Sequence, residues 1–173
     1  ARQRDLALPA DAKPEDTVWG RLLLSDGENL ADYWAGALEK GLDTVAFDPV
    51  VEANYGPSLE LTISDLRDLA AACRTGWDAA AAAQVRFPRA GAKRGGDPAA
   101  KEWIKDLRDR CKKQMGELES RFGVTGAEAI EDLRALRAPM SALLAVVEET
   151  DRAFRAEKRR RRLLDFSDAE HLA

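Results

Sequence analysis

Apolar residues recur at helical intervals through most of the chain, and the breaks between these runs mark its elements. From Val18 to about Lys40, the residues Leu22, Leu23, Leu30, Trp34 and Leu38 keep a helical spacing that predicts one helix, or a pair broken at Gly27. Residues 41 to 58, GLDTVAFDPVVEANYGPS, mix Gly, Pro and Asn with short apolar groups. They read as a connection laid on the core through Phe47, Val50 and Tyr55. Leu59, Leu61, Ile63, Leu66, Leu69 and Ala70 start a second helix that should end near Gly76, and the alanines from Trp77 to Val85 make a third.

Asp97 and Pro98 form a cap and first-turn pair for a long helix. Its apolar stripe is Ile104, Leu107, Cys111, Met115, Leu118 and Phe122. Gly123 ends that helix, and Thr125 to Glu128 has the spacing of a reciprocal capping box for the next, which carries Ile130, Leu133 and Leu136. Pro139 should stop it and open a last long helix over 139 to 163, with Leu143, Leu144, Val147 and Phe154 on its apolar face. Short turns favour antiparallel neighbours, so 98 to 122 and 139 to 163 are expected to pack together. The fold class is all-α: long antiparallel helices with shorter packing helices.

Residues 1 to 17, with Pro9 and Pro14 and no apolar period, read as a flexible N-terminal arm. Residues 86 to 97, with Arg86, Arg89, Lys93, Arg94 and three glycines, read as a flexible basic loop. The helical domain spans 18 to 164. Ser167 to Glu170 again has capping-box spacing, but the helix it announces has no room, so 165 to 173 reads as the cut start of a further element. With residue 1 an Ala and no leader-like or membrane-spanning stretch, the chain reads as a piece of a longer cytoplasmic protein with no membrane partner.

Charge alters the picture more than composition does. The net charge of −4 over 173 residues hides 7 Lys/Arg against 15 Asp/Glu in residues 1 to 83, 11 against 6 in 84 to 121, and 7 against 1 in 152 to 162. An acidic first half followed by two basic segments suits a polyanion met by one face, or else solvated helix surface. No chemistry competes with that reading. The chain has no P-loop and no nucleophile elbow, and a single histidine, His171, leaves Cys73 and Cys111 without metal-ligand spacing. Carboxylate pairs such as Asp106/Asp109 and Glu148/Glu149 sit beside cations at neighbouring helical turns, and the four tryptophans fall on apolar faces or helix starts as core anchors. The segments DLRDRCKKQ and RAEKRRRR, with the basic loop, are the candidate phosphate contacts, and nothing in them suggests base reading.

WGRLLL at 19 to 24, KEWIKDLRDRCKKQMGEL at 101 to 118 and FRAEKRRRRLLDFSDAEHLA at 154 to 173 together resemble the 1B subdomain of the AddA family, helicase-nuclease subunits within the UvrD-like superfamily 1 helicases. In that family a long helix with an aromatic and a Lys leads into Leu-Asp-Phe-x-Asp-Leu-Glu, returning the chain to the motor core. Phe154, Lys158 and Leu164 to Glu170 hold those places here, with Phe154 for the commoner Tyr and Ala169 for Leu.

The resemblance implies a parent that uses ATP and Mg to translocate 3′ to 5′ along DNA. That parent would work with an AddB-like second subunit in double-strand break repair and recombination. The fragment itself is expected to hold no cofactor or metal and to be non-catalytic, its partners being DNA backbone and other domains of the same chain. On this reading Lys93, Arg94, Lys112, Lys113, Lys158, Arg159 and Arg162 touch phosphates, without sequence preference. The competing class is a structural or protein-interaction insert without DNA contact.

Overall fold

The computed structural model describes residues 8–163, and over these the chain is all-α. A 3-10 turn at Pro14–Asp16 leads into α1 (Val18–Val45), α2 (Pro49–Thr75), α3 (Trp77–Ala82), α4 (Pro98–Arg121) and α5 (Gly126–Arg161). Residues up to Glu131 form one compact unit and those from Asp132 onward a second.

In the first unit α1 and α2 make an antiparallel hairpin. Arg74 Nε lies 3.3 Å from Glu28 Oε1 near one end, and Arg67 meets Glu39 towards the other. Helix α4 runs antiparallel to α1, since Arg121 reaches Asp26, Trp34 Nε1 donates to Gln114 Oε1 at 2.8 Å, and Gly41 faces Ile104 and Leu107. The core is Leu24, Ala31, Trp34 and Leu38 of α1, Leu59, Leu66 and Ala70 of α2, and the stripe from Ile104 to Phe122; the α2 and α4 residues with Trp34 and Leu38 are buried as their spacing predicts, whereas the rest of the buried α1 face runs through Leu24 and Ala31, with Leu23 and Leu30 only half-buried. One end is closed by aromatic rings packed edge to face: Trp77 of α3 sits 5.3 Å from Trp19 and 4.9 Å from Phe122, and its Nε1 donates to the Val124 carbonyl at 2.9 Å.

Several boundaries differ from those predicted. Gly27 does not interrupt α1. A Cβ there would lie 3.1 Å from Cys73 Sγ and 3.2 Å from the Phe122 ring, so this glycine serves close helix approach, which ordinary α geometry allows. The supposed connection at 41 to 58 is helical except for the turn 46 to 48. Asp48 caps α2 by accepting from the Val50 and Val51 amides at 2.9 and 3.1 Å, and Pro49 occupies the first turn, where it lacks only an unneeded donor.

Pro57 is therefore inside α2. In the turn before it the Asn54 carbonyl accepts from the Gly91 amide at 2.7 Å, and the Asn54 side chain bonds both backbone groups of Lys93. Phe47 lies 70% exposed on the turn rather than on the core, and Trp103, 42% exposed, is the one tryptophan not mostly covered as a core anchor would be. Leu22 and Leu61 are also exposed. Gly76 does end α2, at φ +148°, and α3 stops at Ala82 rather than Val85.

Pro139 does not end a helix either: α5 is one 36-residue helix running through it. A proline removes one bond to the carbonyl four residues back, and that carbonyl, Ala135, lies on an exposed turn open to solvent. The start of α5 matches expectation. Thr125 N and Oγ1 both donate to Glu128 Oε2 at 2.8 Å, and the Glu128 amide donates to Thr125 Oγ1 at 3.3 Å. Ile130 is buried, whereas Leu136, Leu143, Val147 and Phe154 are each more than half exposed, so the apolar face of 139 to 163 is not core. Of the expected N-terminal arm, residues 14 to 17 are built in: Pro14 and Thr17 are buried, and Thr17 caps α1 by accepting from the Gly20 amide at 3.0 Å. The return segment 165 to 173 and Leu164 lie outside the described residues.

Candidate nucleic-acid interface

The segment predicted as a basic loop, 86 to 97, is tied along its length to α2 and α4. At its start Asp65 of α2, almost fully buried, accepts from the Arg86 amide and Nε, both at 2.9 Å, and from Nη2 at 2.7 Å. The guanidinium holds the Asp65 carboxyl below its usual range despite burial. In the middle Asn54 grips Lys93, and at the end Asp48 accepts from the Asp97 amide, which is the main cause of its own lowered pKa.

On the other flank Arg108 of α4 donates to the Phe87 and Pro88 carbonyls at 2.9 and 2.7 Å with its guanidinium carbon 5.8 Å from the Phe87 ring centroid, and Lys101 Nζ bonds the Gly95 carbonyl. The loop thus runs antiparallel to both helices. Lys101, Lys105, Arg108 and Lys112 stand one to two turns apart on the side of α4 that faces it.

Among the candidate residues, Lys93 and Arg94 are exposed on this loop, and Lys112 lines a shallow groove with Val85, Phe87 and Met115 on the same flank. Lys113 does not join them. One residue further round the helix, it lies with Tyr33, Trp34 and Gln114 on the α1 side. Lys158, Arg159 and Arg162 belong to the second unit. Lys158 Nζ lies 4.9 Å from the Phe154 ring centroid, and both Lys158 and Arg159 border a shallow groove with Arg155 and Leu163. Arg162, at φ +56°, follows the last turn. Glu157 chelates Arg160 and Arg161, each at 2.6 Å, and its carboxyl is held low chiefly by Arg160.

Several cations of the basic segments are taken up by the fold, among them Arg86 by Asp65, Lys101 by the Gly95 carbonyl, Arg121 by Asp26, and Arg108, whose side chain is only 15% exposed, by the Phe87 and Pro88 carbonyls. Arg89 and Lys105, exposed on the loop–α4 flank, were absent from the expected set; the 101, 105, 108, 112 spacing is the signal that reveals Lys105. The carboxylates beside the cations act as helix support, as Asp106 does with Arg110 at 2.9 Å. Both cysteines are free and buried, their thiols pushed up to about 11 at Cys73 and about 12 at Cys111, chiefly by burial. Among the described residues, no helix is long and apolar enough to cross a membrane.

Over almost its whole length this helical chain is similar to one region of ATP-dependent helicase/nucleases, in each case of the polypeptide designated the A subunit. One such relative, from Carboxydothermus hydrogenoformans, is 32% identical over 167 residues, covering 92% of this chain, and one from Clostridium botulinum strain Langeland is 29% identical over 161 residues, covering 91%. The AddA resemblance is thereby borne out, for a segment. The chain spans only 14% and 12% of the length of those two relatives. No protein-family model matches it.

Proposed function

We propose that this chain is the 1B accessory subdomain of an AddA-like, ATP-dependent helicase-nuclease, and that the flank formed by the 86 to 97 loop and α4 touches DNA backbone. The observation that carries the DNA contact is the fastening of a cation-rich loop beside the lysine row of α4. Arg89, Lys93, Arg94, Lys105 and Lys112 are presented together, while Arg86 and Arg108 are spent on holding the loop in place. Pre-ordering of that kind lowers the entropy lost on binding. In this reading ATP and Mg act elsewhere in the parent, an AddB-like subunit is its partner, and break repair and recombination in the cytoplasm are its setting. This segment supplies no catalytic group.

A salt titration tests the contact. Lys105→Glu with Lys112→Glu should weaken binding to a forked duplex and flatten the salt dependence by about one unit of slope for each phosphate no longer neutralised. Lys113→Glu, on the α1 side, should do less, and Lys158→Glu with Arg159→Glu reports on the second unit separately. Unchanged affinity and slope in the first variant would reject the contact. The competing reading, a protein-interaction insert, is favoured by a different observation, the exposed apolar row on α5, and predicts weak salt dependence throughout.

A further inference from the structure

The two ends of the 86 to 97 loop are held by several helix residues. Asp65, Thr62 and Arg108 take Arg86 to Pro88, and Asp48 and Lys101 take Asp97 and Gly95. The stretch between them, 89 to 94, carries Arg89, Lys93 and Arg94. Among the described residues, every hydrogen bond that ties this stretch to a helix ends on one residue, Asn54 of α2.

Asn54 is buried and makes three bonds to the loop. Its carbonyl accepts from the Gly91 amide at 2.7 Å, its Oδ1 accepts from the Lys93 amide at 2.8 Å, and its Nδ2 donates to the Lys93 carbonyl at 3.0 Å. A side-chain amide suits this place because it sets an acceptor and a donor side by side, as the peptide of a neighbouring strand would. Bonds to both backbone groups of one residue fix its orientation, and with it the direction in which the Lys93 side chain leaves the loop. Gly91 completes the fit. A Cβ there would lie 2.8 Å from Asn54 Oδ1 and 3.1 Å from its Cα, so the loop comes this close only as glycine.

We propose that Asn54 is a positioning residue for the phosphate contact: it touches no DNA, and it holds Lys93 and Arg94 in the orientation that meets the backbone. The role rests on the DNA reading of the loop–α4 flank. Such a residue has a signature that a phosphate contact lacks. Its loss leaves the number of cations, and hence the salt slope, as it was, and adds the cost of ordering the loop at every salt concentration. Loss of a cation lowers affinity and slope together.

Titrating the 173-residue chain with a forked duplex at several salt concentrations separates the two. Asn54→Leu, close in volume but with neither donor nor acceptor, should bind roughly three- to tenfold more weakly at each salt, with an unchanged slope. Gly91→Ala should do the same from the loop side, where α2 is left whole, and it decides alone if Asn54→Leu does not fold. Lys93→Gln with Arg94→Gln should instead lower the slope by about two units. Amide hydrogen exchange reads the clamp without DNA: the Lys93 amide should be protected in the wild type and exchange faster in both variants, while the buried turns of α2 keep their protection. Wild-type affinity in the folded variants, a slope that falls with Asn54→Leu as it does with the double glutamine, or a Lys93 amide that exchanges freely in the wild type would each overturn the positioning role and leave the DNA contact standing. A wild type that binds no DNA would overturn the contact, and the role with it.

Discussion

Replacing Asp65 by Asn removes the charge that fastens the basic loop while keeping its shape. The carboxylate accepts one backbone amide and two guanidinium donors from Arg86, and it sits 6% exposed, so water cannot replace them freely. A hydrogen bond to a buried charge contributes about 1.5 to 3 kcal/mol, and the exposure of the Arg86 side chain puts the Asp65 carboxylate's loss at the low end of that range. Asn can still accept from the amide, which keeps the total at about 2 kcal/mol.

With a urea dependence of about 2 kcal/mol per molar, the unfolding midpoint should fall by about 1 M at neutral pH. The pH dependence fixes the cause. Asp65 has its folded pKa lowered from 3.8, so its contribution is full above that value and is lost as pH falls through the folded pKa. The gap between wild type and variant should therefore hold steady from about pH 8 to pH 5 and close in acid. Trypsin should also cut the variant faster at Arg86, Arg89, Lys93 and Arg94. An unchanged midpoint, or a gap that persists at low pH, would refute the clasp.

Three further outcomes follow from the geometry. Gly20→Ala would set a Cβ 1.9 Å from the Pro14 carbonyl oxygen, a backbone atom that cannot swing aside, so it should destabilise by more than the roughly 1 kcal/mol that alanine adds to a helix; calorimetry showing a net gain would contradict the packing of the 14 to 17 turn. Thr125→Ala breaks the reciprocal cap of α5 and should cost about 1 kcal/mol, read as a shift in the urea midpoint that Thr125→Ser largely reverses. Cys73 and Cys111 should resist thiol reagents at pH 8 in the folded chain and react at once in denaturant, since burial keeps both protonated; fast labelling of native protein would place them elsewhere.

Legibility in the sequence followed the range of the interactions concerned. The α4 stripe and the Thr125–Glu128 cap were readable because helix period and capping act within a few residues. Asp48–Pro49 carries the same start signal as Asp97–Pro98, yet Gly56 and Pro57 outweighed it. The helix continues past Pro57, and beside it the Asn54 carbonyl has a partner 37 positions away, the Gly91 amide, which no local rule contains. Pro139 misled for the opposite reason: an exposed helix tolerates one missing bond that a buried one would not. Cations could be counted from the sequence, but only the fold separates Arg86 and Arg108, which hold the loop, from Lys112 beside them.

The edge-to-face contact of Trp19 with Trp77 reaches beyond packing into optics. Two indoles 5.3 Å apart at 78° couple their excited states, and coupled transitions split into bands of opposite sign in circular dichroism. This signal arises only while the start of α1 and α3 are joined, and it is distinct from the helical bands. The chain therefore carries an intrinsic gauge of that junction, able to report its opening in a melt while the remaining helices still absorb as helices. Removing either indole would erase the split band and leave the rest of the spectrum to show what the helices alone contribute.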